Sequence, residues 1–194
     1  SGFSHGIWVK SGSGNASLTI ENASVVANTT SQYYHGVVVQ SSTSSQSSPA
    51  LSLAVNGGSL TASGGEDSVG IQFDVASSQA NNATTSLTVN NNAIVKAING
   101  IEGYRVDKPT PSGTGIVFDD KEGTVYGAVT LQEDLEIGEG ESLTVPEGSS
   151  LNCNRKLTNN GTILASGGTV SGQLKNGTTV TPPSITGQPQ NKKV

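Results

Sequence analysis

Two histidines, one cysteine and three adjacent acidic pairs carry most of the reactive chemistry in this 194-residue chain. His5 and His35 each stand just before a glycine. They occupy equivalent places in neighbouring copies of a repeat, so they read as a surface ladder of stacked rings. A zinc site needs about three or four protein ligands, and no other ligand type lies near either histidine in sequence. Cys153 falls on an inward-facing strand position. A nucleophilic cysteine wants an accessible, electropositive setting and a base, and both histidines are remote, so Cys153 reads as a buried, inert thiol. Glu66-Asp67, Asp119-Asp120 and Glu133-Asp134 are the acidic pairs. Glycan cleavage wants two carboxylates facing one bond, roughly 5–10 Å apart, and no column of acids recurs at the repeat spacing. Asp119, Asp120 and Glu122 could lend oxygens to calcium, which takes about six to eight. The expectation is a chain without catalytic residue, metal or cofactor, and not an enzyme.

Exposed aromatic rings bind sugars by stacking, because the ring is apolar while its edge tolerates water. Trp8 lies between Ile7 and Val9, so strand alternation turns it outward. Tyr33-Tyr34 sits just ahead of the next strand. Trp8, Tyr33 and Tyr34 form the candidate ligand-binding set, with Tyr104 and Tyr126 as further exposed candidates. The alternative is an aromatic ladder that covers the first repeat or meets a piece upstream.

The elements that would position these residues follow from composition and period. Charged residues are 13% of the chain, about half the usual ~25%. Ser, Thr, Asn and Gly replace them, which suits strands and turns. The net charge is −5 and the basic residues are scattered, which argues against nucleic acid as a partner. One cysteine excludes an internal disulfide framework. No apolar run reaches the roughly 18 residues of a membrane span, so membrane insertion is not expected. No signal peptide is visible, and the lack of methionine reads as a processed chain or excised fragment.

A repeat organises the first hundred residues. Ser17-Leu18-Thr19-Ile20 recurs as Ser52-Leu53-Ala54-Val55 and Ser86-Leu87-Thr88-Val89, 35 and then 34 residues apart. Each copy is followed by a short apolar run: Val25-Val26-Ala27, Leu60-Thr61-Ala62, and Ile94-Val95-Lys96-Ala97, one residue wider. Each is preceded by a glycine-led run starting at Gly6, Gly36 or Gly70, with a fourth beginning at Gly100. Glu21-Asn22-Ala23, Asn56-Gly57-Gly58 and Asn90-Asn91-Asn92 supply corners, because Asn and Gly tolerate a left-handed backbone. No stretch shows helical periodicity, so no helix is expected. Three short strands per repeat, each too small to bury its own face, predict an all-β, right-handed, single-stranded parallel β-helix, a β-solenoid. Its inward columns would be Leu18/Leu53/Leu87, Ile20/Val55/Val89 and Val25/Leu60/Ile94. Ser-, Gln- and Asn-rich loops over 10–16, 40–50 and 76–85 would emerge at one edge.

From Val129 the rhythm tightens. Val129/Leu131, Leu135/Ile137, Leu143/Val145 and Leu151/Cys153, then Leu157 and Ile163, place like residues 22, 22 and 20 positions apart. The predicted organisation is one solenoid over 1–177, with long-loop coils over 1–102, an irregular junction over 103–127 and short coils over 128–177. Residues 178–194, rich in proline and without period, read as a linker to a further module.

The stretch Leu135-Glu136-Ile137, Ser142-Leu143-Thr144-Val145-Pro146-Glu147-Gly148 and Leu157-Thr158-Asn159-Asn160-Gly161-Thr162-Ile163 resembles repeats of large β-helix cell-surface, adhesin-like proteins of Gram-positive gut bacteria. The tail from Pro183 to Asn191 resembles the lead-in to an immunoglobulin-like module of such proteins. The resemblance implies export to the extracellular surface, wall attachment through parts outside this chain, and adhesion or glycan contact. The expected function is a non-catalytic structural or adhesive segment, a rigid stalk. The alternative is a carbohydrate-binding module, and a polysaccharide lyase or glycoside hydrolase is more remote. Expected partners are a host or plant glycan, a surface protein, and neighbouring modules of the same chain.

Overall fold

A computed structural model describes residues 4–12, 14–42, 48–75 and 82–175. The tail over 178–194 and parts of the two longer loops, 43–47 and 76–81, lie outside the described residues. The described chain is all-β, as the period-two patterning predicts, with sixteen strands in four sheets.

The first sheet is entirely parallel. It holds β1 (Ile7–Ser11), β3 (Val37–Ser41), β5 (Ile71–Val75) and β7 (Ile101–Tyr104), in that spatial order. These are the glycine-led runs. Opposite them lie three long strands, β2 (Ala16–Asn28), β4 (Ala50–Ser63) and β6 (Thr84–Ile98), also paired in parallel. Leu18, Leu53 and Leu87 stand in register, as do Ile20, Val55 and Val89. Those two columns were legible in the repeat itself.

The β-solenoid expectation needs correction on three counts. Each repeat contributes two strands rather than three. The two runs read as separate strands belong to one strand that turns a tight corner and goes on pairing beyond it. Asn22, Gly57 and Gly58, and Asn91 and Asn92 make that corner, all at positive φ. Next, the third column slips. The extra residue in the Asn91-Asn92 corner shifts the register, so Leu60 pairs with Val95, not Ile94.

The third count concerns continuity. The segment expected to be an irregular junction is a regular antiparallel hairpin, β8 (Pro111–Asp119) with β9 (Glu122–Tyr126). It reverses the chain between Asp119 and Glu122, which a parallel stack cannot absorb. The result is a mixed seven-stranded sheet ordered β15-β12-β9-β8-β6-β4-β2, where β12 is Ser142–Pro146 and β15 is Thr162–Ser166. Two small parallel sheets complete the second half. One joins β10 (Ala128–Thr130), β13 (Ser150–Asn152) and β16 (Thr169–Ser171), and the other β11 (Leu135–Ile137) and β14 (Leu157–Asn159).

The hairpin also divides the interior. Ala93, Val95, Ala97 and Val117 belong to the first core, with Leu53, Phe73 and Leu87. Ile94, Ile116 and Phe118 belong to a second core, with Leu131, Ile137, Leu143 and Cys153. Neighbouring residues of β6 and β8 thus face opposite cores, because side chains alternate across a strand. The second half is seated on the back of the sheet that closes the first. Polar contacts fix it there: Thr130 N donates to Asn92 Oδ1 at 2.9 Å, and Lys96 Nζ reaches Glu136 O at 2.8 Å and Glu141 Oε2 at 3.1 Å. One continuous solenoid over 1–177 is therefore not the architecture.

Candidate functional site

The outer face of the four-stranded sheet collects the residues with chemistry. Alternation turns Ile7, Val9, Val37, Val39, Ile71 and Phe73 into the first core and the residues between them outward. Strand register then writes two outward rows. Trp8, Val38, Gln72 and Glu102 form one, and Lys10, Gln40, Asp74 and Tyr104 form the other. Trp8 is 52% exposed on the β1 edge and Tyr104 49% exposed on the β7 edge. Three strand spacings of ~4.8 Å put these edges about 14 Å apart. Between them Val38 is buried, Gln40 and Gln72 are half-buried, and Asp74 is buried.

This face is laced by amide-to-carboxylate hydrogen bonds between neighbouring strands. Gln40 Nε2 donates to Asp74 Oδ2, and Gln72 Nε2 donates to Glu102 Oε1 at 2.5 Å. Two oxygens in it, Gln40 Oε1 and Asp74 Oδ1, are buried without a hydrogen-bond partner. Buried acceptors normally find donors, and leaving one unmet costs about 1–3 kcal/mol.

The histidines form the rim at the strand starts. Their rings stack with centroids 5.6 Å apart and planes 11° from parallel. Each ring also accepts a backbone donor from the next strand's lead-in. His35 N donates to His5 Nδ1 at 3.0 Å, and Val69 N donates to His35 Nδ1 at 3.1 Å. A ring nitrogen that accepts cannot carry a proton, so both imidazoles are held in the neutral form. Burial lowers the pKa of both below the ordinary histidine value, and for His5 the neighbouring His35 adds to the lowering. Acidification should therefore destabilise the fold. The unfolded chain takes up protons near pH 6.5, while the folded histidines resist until lower pH, so stability falls as pH drops below about 6.5. Denaturant melts at pH 7.5 and 5.5 should show this loss, and the His5→Gln/His35→Gln double variant should lose less. Identical losses in the two proteins would contradict it.

Of the sequence candidates, Trp8 and Tyr34 are brought together through His5. The His5 ring lies 5.4 Å from Trp8, edge on, and 5.1 Å from Tyr34. Lys10 Nζ sits 5.1 Å from the Trp8 ring centre, a cation–π contact. Tyr33 has a left-handed backbone, φ 64°, and is 66% exposed. Tyr126 is half-buried and packs against the first core. Cys153 is fully buried in the second core, and burial raises its thiol pKa.

The acidic pairs serve turns. Asp119 Oδ1 accepts from Ile101 N at 2.7 Å and its other oxygen pairs with Lys108, while Asp120 Oδ1 accepts from Asn99 N at 3.2 Å. Asp67 accepts from Gln32 at 3.1 Å, Glu133 from Ser24 at 3.1 Å, and Asp134 pairs with Lys175 at 2.5 Å. Among the described residues no group of three acids, histidines or cysteines converges as a metal site would require.

Sequence reasoning missed Asp74 and Glu102, because neither belongs to an acidic pair. Carrying the Gly70-Ile71-Gln72-Phe73 alternation one residue further turns Asp74 outward, and carrying the fourth glycine-led run one residue beyond Ile101 does the same for Glu102. No family model matches the chain, no curated protein matches it, and no solved structure matches it, so the likeness to bacterial surface repeats rests on the quoted motifs alone.

Proposed function

We propose that this chain is a non-catalytic adhesive module of a secreted bacterial cell-surface protein, and that it holds a glycan across the outer face of the four-stranded sheet. The observation that supports this is one polar sheet face bounded by an exposed aromatic ring on each edge. Trp8 and Tyr104 offer apolar platforms for sugar faces. Gln40, Gln72, Asp74 and Glu102 offer amide and carboxylate groups for the hydroxyls between them. The carboxylates are tied to amides on neighbouring strands, which suits fixed recognition better than proton transfer. The extracellular setting comes from the resemblance of the second half to surface repeats.

Retention on insoluble and immobilised polysaccharides and on mucin tests this, with and without calcium. Wild-type protein should be retained on at least one of these matrices, and Trp8→Ala should bind it about tenfold more weakly or worse, equivalent to ~1.4 kcal/mol. Full retention of Trp8→Ala would place binding elsewhere. No retention on any matrix would leave a rigid spacer between modules as the function. Release of new reducing ends from a bound glycan would replace adhesion with hydrolysis.

A further inference from the structure

Trp8 stands on β1, the outermost strand of its sheet, so a strand neighbour supports it on one side only. Along its own strand, Lys10 lies over the ring and His5 packs against it. The His5 imidazole is wedged in place in turn. It lies 5.1 Å from the Tyr34 ring and stacks on His35 at 5.6 Å, with planes 11° from parallel. The histidine pair is therefore part of what fixes the pose of the Trp8 platform.

That wedge depends on charge state. His5 Nδ1 accepts from His35 N and His35 Nδ1 accepts from Val69 N, so the proton of each neutral ring sits on Nε2. A proton taken up in acid goes to Nδ1. There it meets a main-chain N–H, donor against donor, and the bond is lost. The two bonds at stake lie in the leads into β3 and β5. Protonation of both rings also sets two positive charges on stacked imidazoles. The carboxylates that face the pair are Asp74, which acts on both rings, and Glu102, which acts on His35. They belong to β5 and β7, beyond β3 in strand order. They draw an imidazolium across the sheet, away from the β1 edge, while Lys10 on β1 repels it from that edge. Near neutral pH burial keeps both rings uncharged.

We propose that His5 and His35 are positioning residues for the Trp8 platform, and that their protonation withdraws its support, so that the face holds a glycan near neutral pH and releases it in acid. This rests on the reading of the face as a glycan site. Neither histidine touches the sugar. The neutral pair holds the ring in its stacking pose, and the charged pair breaks its own main-chain bonds and leaves the ring without its neighbour.

Calorimetric titration at pH 7.5 and 5.0 tests this, with the soluble form of whichever matrix retains the protein: cellohexaose for cellulose, xylohexaose for xylan, released O-glycans for mucin. Circular dichroism at both pH values checks that the sheets persist. Wild-type protein should bind about tenfold more weakly at pH 5.0. The His5→Gln/His35→Gln variant, whose amides do not titrate, should differ by less than about twofold between the two. His35→Gln keeps the main-chain donor to His5 and removes the second charge, so the midpoint of the loss should move to higher pH. A role in folding alone would leave that midpoint in place. Equal wild-type affinities at the two pH values, a comparison that needs no variant, would overturn the gate and leave glycan binding standing. A loss that persists in the double variant would assign it to Asp74 and Glu102 and overturn the gate. A loss that merely tracks unfolding of the sheets would do the same. Failure of every matrix to retain the protein at pH 7.5 would remove the glycan reading, and the gate with it.

Discussion

Replacing Leu53 with alanine should lower the free energy of unfolding by about 2–5 kcal/mol. Leu53 lies on the middle long strand, is fully buried, and pairs with Leu18 on one side and Leu87 on the other. Truncation removes its transfer free energy and opens a cavity between two strands. The main-chain ladder holds those strands at fixed spacing, so the cavity has little freedom to collapse. A change at Val26, 69% exposed on the neighbouring strand, should cost under ~0.5 kcal/mol when made to serine. Urea denaturation of both variants measures the difference. Equal shifts in midpoint would mean that the Leu column is not the interior of the first core.

A second large effect is expected at Gly36, for the opposite reason. A methyl group there would stand 2.6 Å from Ser63 N, 2.7 Å from Ala27 O and 2.8 Å from Gly70 O. All three are main-chain atoms of neighbouring strands, so no side chain can swing aside. Gly6 and Gly70 meet equivalent main-chain obstacles in their own copies, which is why a glycine opens the first three runs of this sheet, whereas Gly100 serves the fourth through its φ of 95°. Gly36→Ala should therefore cost ~3 kcal/mol, the upper end of overpacking losses, because the sheet must part to admit the methyl. Gly14→Ala, where no atom lies within 4 Å of the added carbon, is the matched control and should cost under ~0.5 kcal/mol. Comparable losses from the two would remove close strand approach as the reason for the glycine column.

These glycines show how much of the fold was legible beforehand. Their spacing marked the strand starts, and the Ser-Leu repeats marked the long strands and their register. The short spacing of the second half also matches the pairing found. Val129 stands against Leu151, Leu135 against Leu157, and Leu143 against Ile163. Local pattern could not show how the two halves meet. Gly115-Ile116-Val117-Phe118 reads as one more buried strand, and it is one. But alternation alone does not say that Val117 faces one core while Ile116 and Phe118 face another. A second buried face leaves the same apolar run as a strand buried in a single stack. The reversal at Asp120, with φ 57°, is a local event whose consequence, the change from parallel to antiparallel pairing, is global.

The site was legible in the same partial way. Trp8 was found from alternation within one strand. Tyr33 was chosen for its residue type and its place beside Tyr34, and it is exposed. The polar face required register between four strands, because Gln40, Asp74, Gln72 and Glu102 are ordinary polar residues until they are laid side by side.

Trp8 is the only tryptophan in the chain, so its fluorescence reports on the sheet's outer face without any label. Titrating a retained oligosaccharide while recording tryptophan emission is the most direct test of glycan binding there. Stacking of a sugar on the ring should shift or quench the emission along a saturable curve whose midpoint matches the calorimetric affinity. Saturable binding with unchanged Trp8 emission would contradict the assignment and place the glycan on another surface.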